Sequence, residues 1–341
     1  MKQMYDLEND FPKVTEEFHK KICEVLHDLP EEERYCRMNK KKFVLAIAMG
    51  VMMISTITVY AAVRWNQRAL DNFSANNQQQ EQLAEDGYSS QLVQSVSDND
   101  ITISVEQTIQ DKNLIYILFK VTSDNLQITE NNAMGYNIKA TNGPDFYTSM
   151  SSGFVDEFLQ PDISNSREYE IWIQKKTDYD FTGAKLSINF NALQEYEGKA
   201  GPTNDLVKGQ WDFSIDLSAN NSVTLVVNKT VSVDGCDIAV HKIELSPLSY
   251  TIYCDGDDVK ALQKADNINF DELDITYPLI ISAIQYKDAT EIQESGGLMS
   301  ESFNKESKEY IATGKFSKVI DMNQIQAIMF GDKKVSLSIY K

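Results

Sequence analysis

The sequence predicts a mainly β protein: a short helical N-terminal tail, a single transmembrane helix, and two tandem antiparallel β-sandwich domains of immunoglobulin-like type. Three observations carry that expectation. Phe43–Val63 runs for 21 residues without a charge. From Gln91 onward apolar and polar residues alternate, the period of a strand with one buried and one wet face. The pattern begins again near Ser222: Val96-Ser97 match Val231-Ser232, and Ile103, Val105 and Ile117 match Ile238, Val240 and Ile252, all at an offset of 135 residues.

Residues 1–39 read as a cytoplasmic tail. Val14, Phe18, Ile22, Val25 and Leu29, with Leu26, recur on one side of a helix that Pro30 ends. Glu16, Glu17, Lys20, Lys21, Glu24 and Asp28 occupy the other side. About four turns of helix cannot bury such a stripe alone. Val14, Phe18, Ile22, Val25 and Leu29 are therefore the candidate partner-binding residues. A polar face rich in carboxylates suits a protein groove better than an anionic membrane surface.

Residues 40–63 form the anchor, with Phe43–Val63 in the bilayer. At about 1.5 Å per residue the apolar run spans roughly 30 Å, the thickness of a bilayer core. Five basic residues (Arg34, Arg37, Lys40, Lys41, Lys42) lie in the fifteen positions before it and two (Arg64, Arg68) in the fifteen after. The positive-inside rule puts the N-terminus in the cytoplasm and the C-terminal part outside the plasma membrane. The competing reading is a signal peptide cleaved after Val59-Tyr60-Ala61; the long acidic segment ahead of the apolar run favours an uncleaved anchor.

Residues 64–90 read as a juxtamembrane linker. Asn76 to Gln82 is polar with no apolar period, which suggests a tether or a solvated helix. Residues 91–218 form the first β domain. Ile101/Ile103/Val105, Tyr169/Ile171/Ile173, Leu186/Ile188/Phe190 and Trp211/Phe213/Ile215/Leu217 each alternate with polar neighbours. Leu114–Val121 is apolar on both faces and suits a central strand. Residues 219–341 form the second domain, with strands expected over 223–233, 236–245, 250–254, 276–282, 310–316 and 335–340.

Composition narrows the function. Lys and Arg number 32 against 51 Asp and Glu, a net charge of −19. Most of the acidity lies outside: residues 64–341 hold 23 basic and 41 acidic side chains. Nucleic acid is therefore not an expected partner, since phosphate contacts need a basic face. Beyond the anchor the one histidine is His241, in a strand, so no catalytic residue and no enzyme activity is expected. No phosphate loop, zinc-protease helix or paired-cysteine motif occurs, and no cofactor or metal is expected. Asp255-Gly256-Asp257-Asp258 reads as a loop. With a hairpin turn at Ser246-Pro247-Leu248, Cys254 faces Val240 rather than Cys236, an awkward spacing for a disulfide.

Several stretches together resemble a known family. Asn39-Lys40-Lys41-Lys42 leads into the apolar run, which ends in Val59-Tyr60-Ala61-Ala62. Val93 to Val105 (VQSVSDNDITISV), Leu114-Ile115-Tyr116, Trp211-Asp212-Phe213, Asn228 to Val231 and Glu244 to Leu248 follow. From about Asn39 to Lys341 the chain resembles the Gram-positive membrane-anchored proteins of domain-of-unknown-function family 4179 with a second β module. The resemblance implies an anti-sigma-factor-like role, with a cytoplasmic sigma factor as partner of the tail and an ectodomain that senses or tethers an unidentified ligand. It supplies no catalytic motif. His19, Cys23 and His27 fall at helical spacing, but the zinc pattern of anti-sigma domains needs a cysteine where Leu26 stands. The expected function is envelope signalling; the alternative is a structural or adhesive surface module whose tail has no signalling role.

Overall fold

A computed structural model describes residues 65–90, 94–129, 131–140, 148–155, 164–175, 183–196, 201–217, 222–233, 236–265, 281–294, 297–304, 306–330 and 333–336. Two short helices come first, α1 (Gln67–Phe73) and α2 (Asn77–Glu85). Nine strands follow: β1 (Ser89–Ser90), β2 (Gln94–Asp98), β3 (Ile101–Gln110), β4 (Leu114–Ser123), β5 (Asn132–Ala140), β6 (Thr148–Phe154), β7 (Ser166–Lys175), β8 (Lys185–Tyr196) and β9 (Pro202–Asp216). The second half contains β10 (Val223–Val233), β11 (Cys236–Leu245), β12 (Ser249–Asp255), helix α3 (Gly256–Ala265), β13 (Ala283–Tyr286), β14 (Glu291–Gln293), β15 (Leu298–Asn304), β16 (Glu309–Lys315), β17 (Ile325–Phe330) and β18 (Lys333–Ser336).

Each half is built from two antiparallel sheets. The first pairs β1-β3-β4-β7-β6, with β2 also on β3, against β5-β8-β9. The second pairs β10-β11-β12-β16-β15 against β14-β13-β17-β18. Ile101, Ile103 and Val105 of β3 meet Ile188, Phe190, Trp211 and Phe213 of the facing sheet in one apolar cluster. In the second half Ile238, Val240 and Ile252 meet Ile284, Ile328 and Val335, with Val259 and Leu262 of α3 at the margin. Trp211, Phe213, Ile215 and Leu217 are all buried, while Ser214 and Asp216 between them are exposed. The fold is thus mainly β with antiparallel sheets. All described residues lie within one compact unit, Ser55–Lys341.

The offset of 135 residues is reproduced in the backbone. Gln94 pairs with Val105, and Lys229 with Val240. Ser89 pairs with Ile109, and Thr224 with Glu244. Both central hairpins carry a bulge at the same point, between Val105 and Gln107 and between Val240 and Lys242. Each bulge inserts one residue, Glu106 or His241, and so switches which face the following side chains reach. Ile109 consequently joins a different cluster from Ile101, Ile103 and Val105. Between β2 and β3, Asn99 and Asp100 both take positive φ (46° and 63°), the two-residue hairpin geometry that Asn and Asp tolerate best.

Several expectations are revised. Asp255-Gly256-Asp257-Asp258 is the start of α3 rather than a loop. The Asp255 carboxylate accepts from the backbone N–H groups of Asp257 and Asp258, and Val259 and Leu262 bury one face. The stretch read as a tether or a solvated helix holds α1 and α2, and Ala69, Phe73 and Leu83 on them are buried instead of solvated. Cys254 does face Val240, and both Cys236 and Cys254 are free thiols. No helix among the described residues is long and apolar enough to cross a membrane. The apolar run Phe43–Val63 lies outside the described residues, as do 276–280 and 337–340 of the expected strands.

Candidate functional site

The most elaborate polar arrangement sits where α1 and α2 lie between the two β halves. Helices of seven and nine residues have no independent stability, so side chains must hold them. Asn66 caps α1, its side-chain oxygen accepting from the Arg68 N–H. Ser74 closes it in the left-handed conformation, its N–H donating to the Leu70 carbonyl. Asn76 and Gln79 form a reciprocal capping box on α2. Trp65, Ala69, Phe73 and Leu83 then pack on Ile109, Leu114, Tyr116 and Leu118 of β3 and β4, with Leu248 and Val319 from the second half. This explains why β4 is apolar on both faces. Ile115, Ile117 and Phe119 enter the sandwich core, and Leu114, Tyr116 and Leu118 are covered by the helices.

Glu170 of β7 is the anchor of α1. Its carboxylate accepts from Arg68 Nε at 2.5 Å and Nη2 at 3.2 Å, Asn72 Nδ2 at 3.2 Å, Tyr116 Oη at 3.0 Å and Trp172 Nε1 at 3.4 Å. Burial, with the Glu170 charge beside it, pushes the Tyr116 phenol well above its ordinary value, so it remains a donor. Alternation placed Glu170 on a wet face; the helix covers it instead.

The second half holds the other end of α1. Lys315 Nζ of β16 donates to the Asn72 carbonyl at 2.5 Å and lies 5.2 Å from the Phe73 ring centre and 5.6 Å from that of Trp172. A cation at the carbonyl end of a helix complements its dipole. Burial lowers the Lys315 ammonium's affinity for its proton, and the Glu170 charge opposes that shift. The Val319 N–H donates to the Phe73 carbonyl, and Gln79 Nε2 to the Val319 carbonyl.

A second joint links the halves directly. It is made from the two hairpin turns that the 135-residue offset equates. Asp111, in the β3–β4 turn, accepts from Ser249 Oγ at 2.6 Å, from Ser246 Oγ, and from the N–H groups of Asn113 and Leu114. Burial raises the pKa of this carboxyl above its ordinary 3.8, although all four donors favour the charged form. Next to it Lys112 Nζ reaches Glu244 at 3.3 Å, which also receives Tyr253 Oη.

The tail residues Val14, Phe18, Ile22, Val25 and Leu29 lie outside the described residues, as do His19, Cys23, His27 and Cys36. His241 is an exposed bulge residue. Among the described residues no group of three or more His, Cys, Asp or Glu side chains could hold a metal. Glu170 and Lys315 were beyond sequence reasoning, because each acquires its role from a helix distant in the chain. The double-sided apolarity of Leu114–Val121 was the one available signal.

Residues 36–123 match the family model described as a domain of unknown function, DUF4179. The match ends at Ser123, the last residue of β4, and so takes in α1, α2 and the first four strands. No curated protein sequence matches the chain. Among solved structures, one titled "The crystal structure of the conserved domain protein from Bacillus anthracis" is similar over 79% of this chain and 84% of that one. Its TM-score is 0.51 at 12% identity, a likeness of fold.

Proposed function

We propose that this chain is a single-pass envelope signalling protein, anchored through Phe43–Val63. Its N-terminus is cytoplasmic, and two immunoglobulin-like β-sandwiches lie outside the cell. The observation that carries this reading is the uncharged 21-residue run with five basic residues before it and two after. In this reading Val14, Phe18, Ile22, Val25 and Leu29 dock a sigma factor in a helix-in-groove mode, with Phe18 and Ile22 as central anchors. The ectodomain senses or tethers an extracytoplasmic ligand.

The packing of α1 and α2 supports a coupling role for the segment after the anchor. The chain is held from Trp65 onward: its N–H donates to Gln80 Oε1 at 2.9 Å and its indole N–H to Ser89 Oγ at 3.1 Å. A load on one β half therefore reaches α1 through Glu170, and a load on the other reaches it through Lys315. The test is a reporter for sigma-dependent transcription in cells carrying Phe18→Ala with Ile22→Ala. The expected outcome is release of the sigma factor and a raised reporter signal with unchanged membrane insertion. An unchanged reporter would remove the signalling role and leave a structural or adhesive surface module.

A further inference from the structure

The segment that carries α1 and α2, residues 65–88, is a loop whose two ends touch. The Trp65 indole N–H donates to Ser89 Oγ at 3.1 Å across 24 positions of chain, so the entry and the exit lie side by side. The Trp65 backbone N–H, donating to Gln80 Oε1 at 2.9 Å, ties the entry to α2 as well. Fully extended, the same stretch would span about 80 Å, at ~3.4 Å per residue. Docked, that length is stored against β3 and β4.

A pull at the entry meets the attachments one after another. First come the two Trp65 bonds and those of Asn66, whose N–H donates to Gln107 at 3.4 Å and whose Nδ2 donates to Glu168 at 3.0 Å. Arg68 and Asn72 on Glu170 follow. Lys315 on the Asn72 carbonyl and the Val319 N–H on the Phe73 carbonyl come last in α1. Contacts loaded singly yield at a lower force than a ladder loaded all at once. The helices are too short to persist alone, whereas β3 behind them is paired to β2 on one side and to β4 along its length on the other. Local opening draws on segments held in this way.

Release would bare Ile109, Leu114, Tyr116 and Leu118, which the helices cover. That apolar surface would draw the loop back once the pull ends. Release would also part Lys315 and Val319 from α1, while the bond from Ser249 to Asp111 still joined the halves.

We propose that residues 65–88 form a releasable strap, a clasped loop that opens under load at its N-terminal end and recloses without unfolding of either β half. Its use as a tether of adjustable length between bilayer and ectodomain rests on the anchor reading above; its release does not.

Magnetic tweezers test this on the full chain in detergent micelles, with one DNA handle at position 64 and the other at the C-terminus. The first event on raising the force should lengthen the chain by about 24 residues and should reverse when the force drops. Arg68→Ala removes one attachment in the line and should speed release at fixed force about tenfold or more. Unchanged later unfolding events show that this variant is folded. Ser214→Ala, exposed on β9, should leave release as in the parent chain. Three results would overturn the proposal: a first event that unravels the first β half together with the loop, equal release rates in the parent and the folded Arg68→Ala chain, or a loop that stays open after the force is removed. Flotation with phosphatidylglycerol vesicles tests the anchor separately. A chain that opens and recloses as expected but stays off the vesicles would keep the strap and remove its tie to a bilayer.

Discussion

Glu170 shows how one side chain can serve as a joint. It gathers donors from α1, β4 and β7, so its loss would leave Arg68, Asn72 and Tyr116 without their acceptor. Glu170→Ala should cost about 3 kcal/mol, the low end for a broken buried pair because Arg68 keeps some solvent contact. Equilibrium urea unfolding measures this, and Glu170→Gln should lose less. Asp111 gives a pH signature. Its folded pKa lies above the ordinary 3.8, so between those two values the native state holds a proton that the unfolded chain has released. Its contribution is therefore complete below the unfolded pKa and is lost as pH rises through the folded one. Unfolding free energies measured from pH 4 upward should fall less steeply in Asp111→Asn than in the parent chain.

At the scale of elements, amphipathic patterning and tertiary cover divide the work. The Trp211–Leu217 stripe follows strand alternation, so Trp211→Ala should cost about 3–5 kcal/mol and Ser214→Ala within about 0.5 kcal/mol. Equal losses at both positions would contradict the one-sided burial of β9. The helices α1 and α2 obey a different logic, since neither could persist off the sheet. Phe73, ringed by Trp65, Tyr116 and Trp172, is their main apolar contact. Phe73→Ala should raise hydrogen exchange in residues 67–85 first, while β4 and β7 amides that face the sandwich core stay protected. Uniform acceleration across the first half would instead make α1 and α2 part of its folding unit.

For the whole molecule the expectation is topological. Protease added to intact, wall-stripped cells should digest residues beyond about 90 and spare the tail, because the segment before Trp65 is predicted to cross the bilayer. A soluble fragment beginning near Ala62 would indicate cleavage and remove the anchor. The chain's acidity, concentrated in residues 64–341, fits a solvated ectodomain in a polyanionic envelope.

Sequence alone determined β3, β4, β7 to β12 and β16, the antiparallel character and the 135-residue repeat, but β5, β6, β13, β14, β15 and β17, whose alternation is weaker, were not legible in it. Alternation of apolar and polar side chains is a local property, as is the Asn99-Asp100 turn. It also determined the facing of Cys254 and Val240, because a hairpin turn fixes register. It could not determine what lies over the second face of β4, nor that the polar stretch from Asn76, for which a solvated helix was one reading, would form a capped helix with Gln80 and Leu83 buried. Nor could it show that Glu170 and Lys315, 145 positions apart, would grip opposite ends of the same short helix. Those outcomes depend on which distant surfaces meet, and burial, not local pattern, gives an isolated charge or a marginal helix its partner.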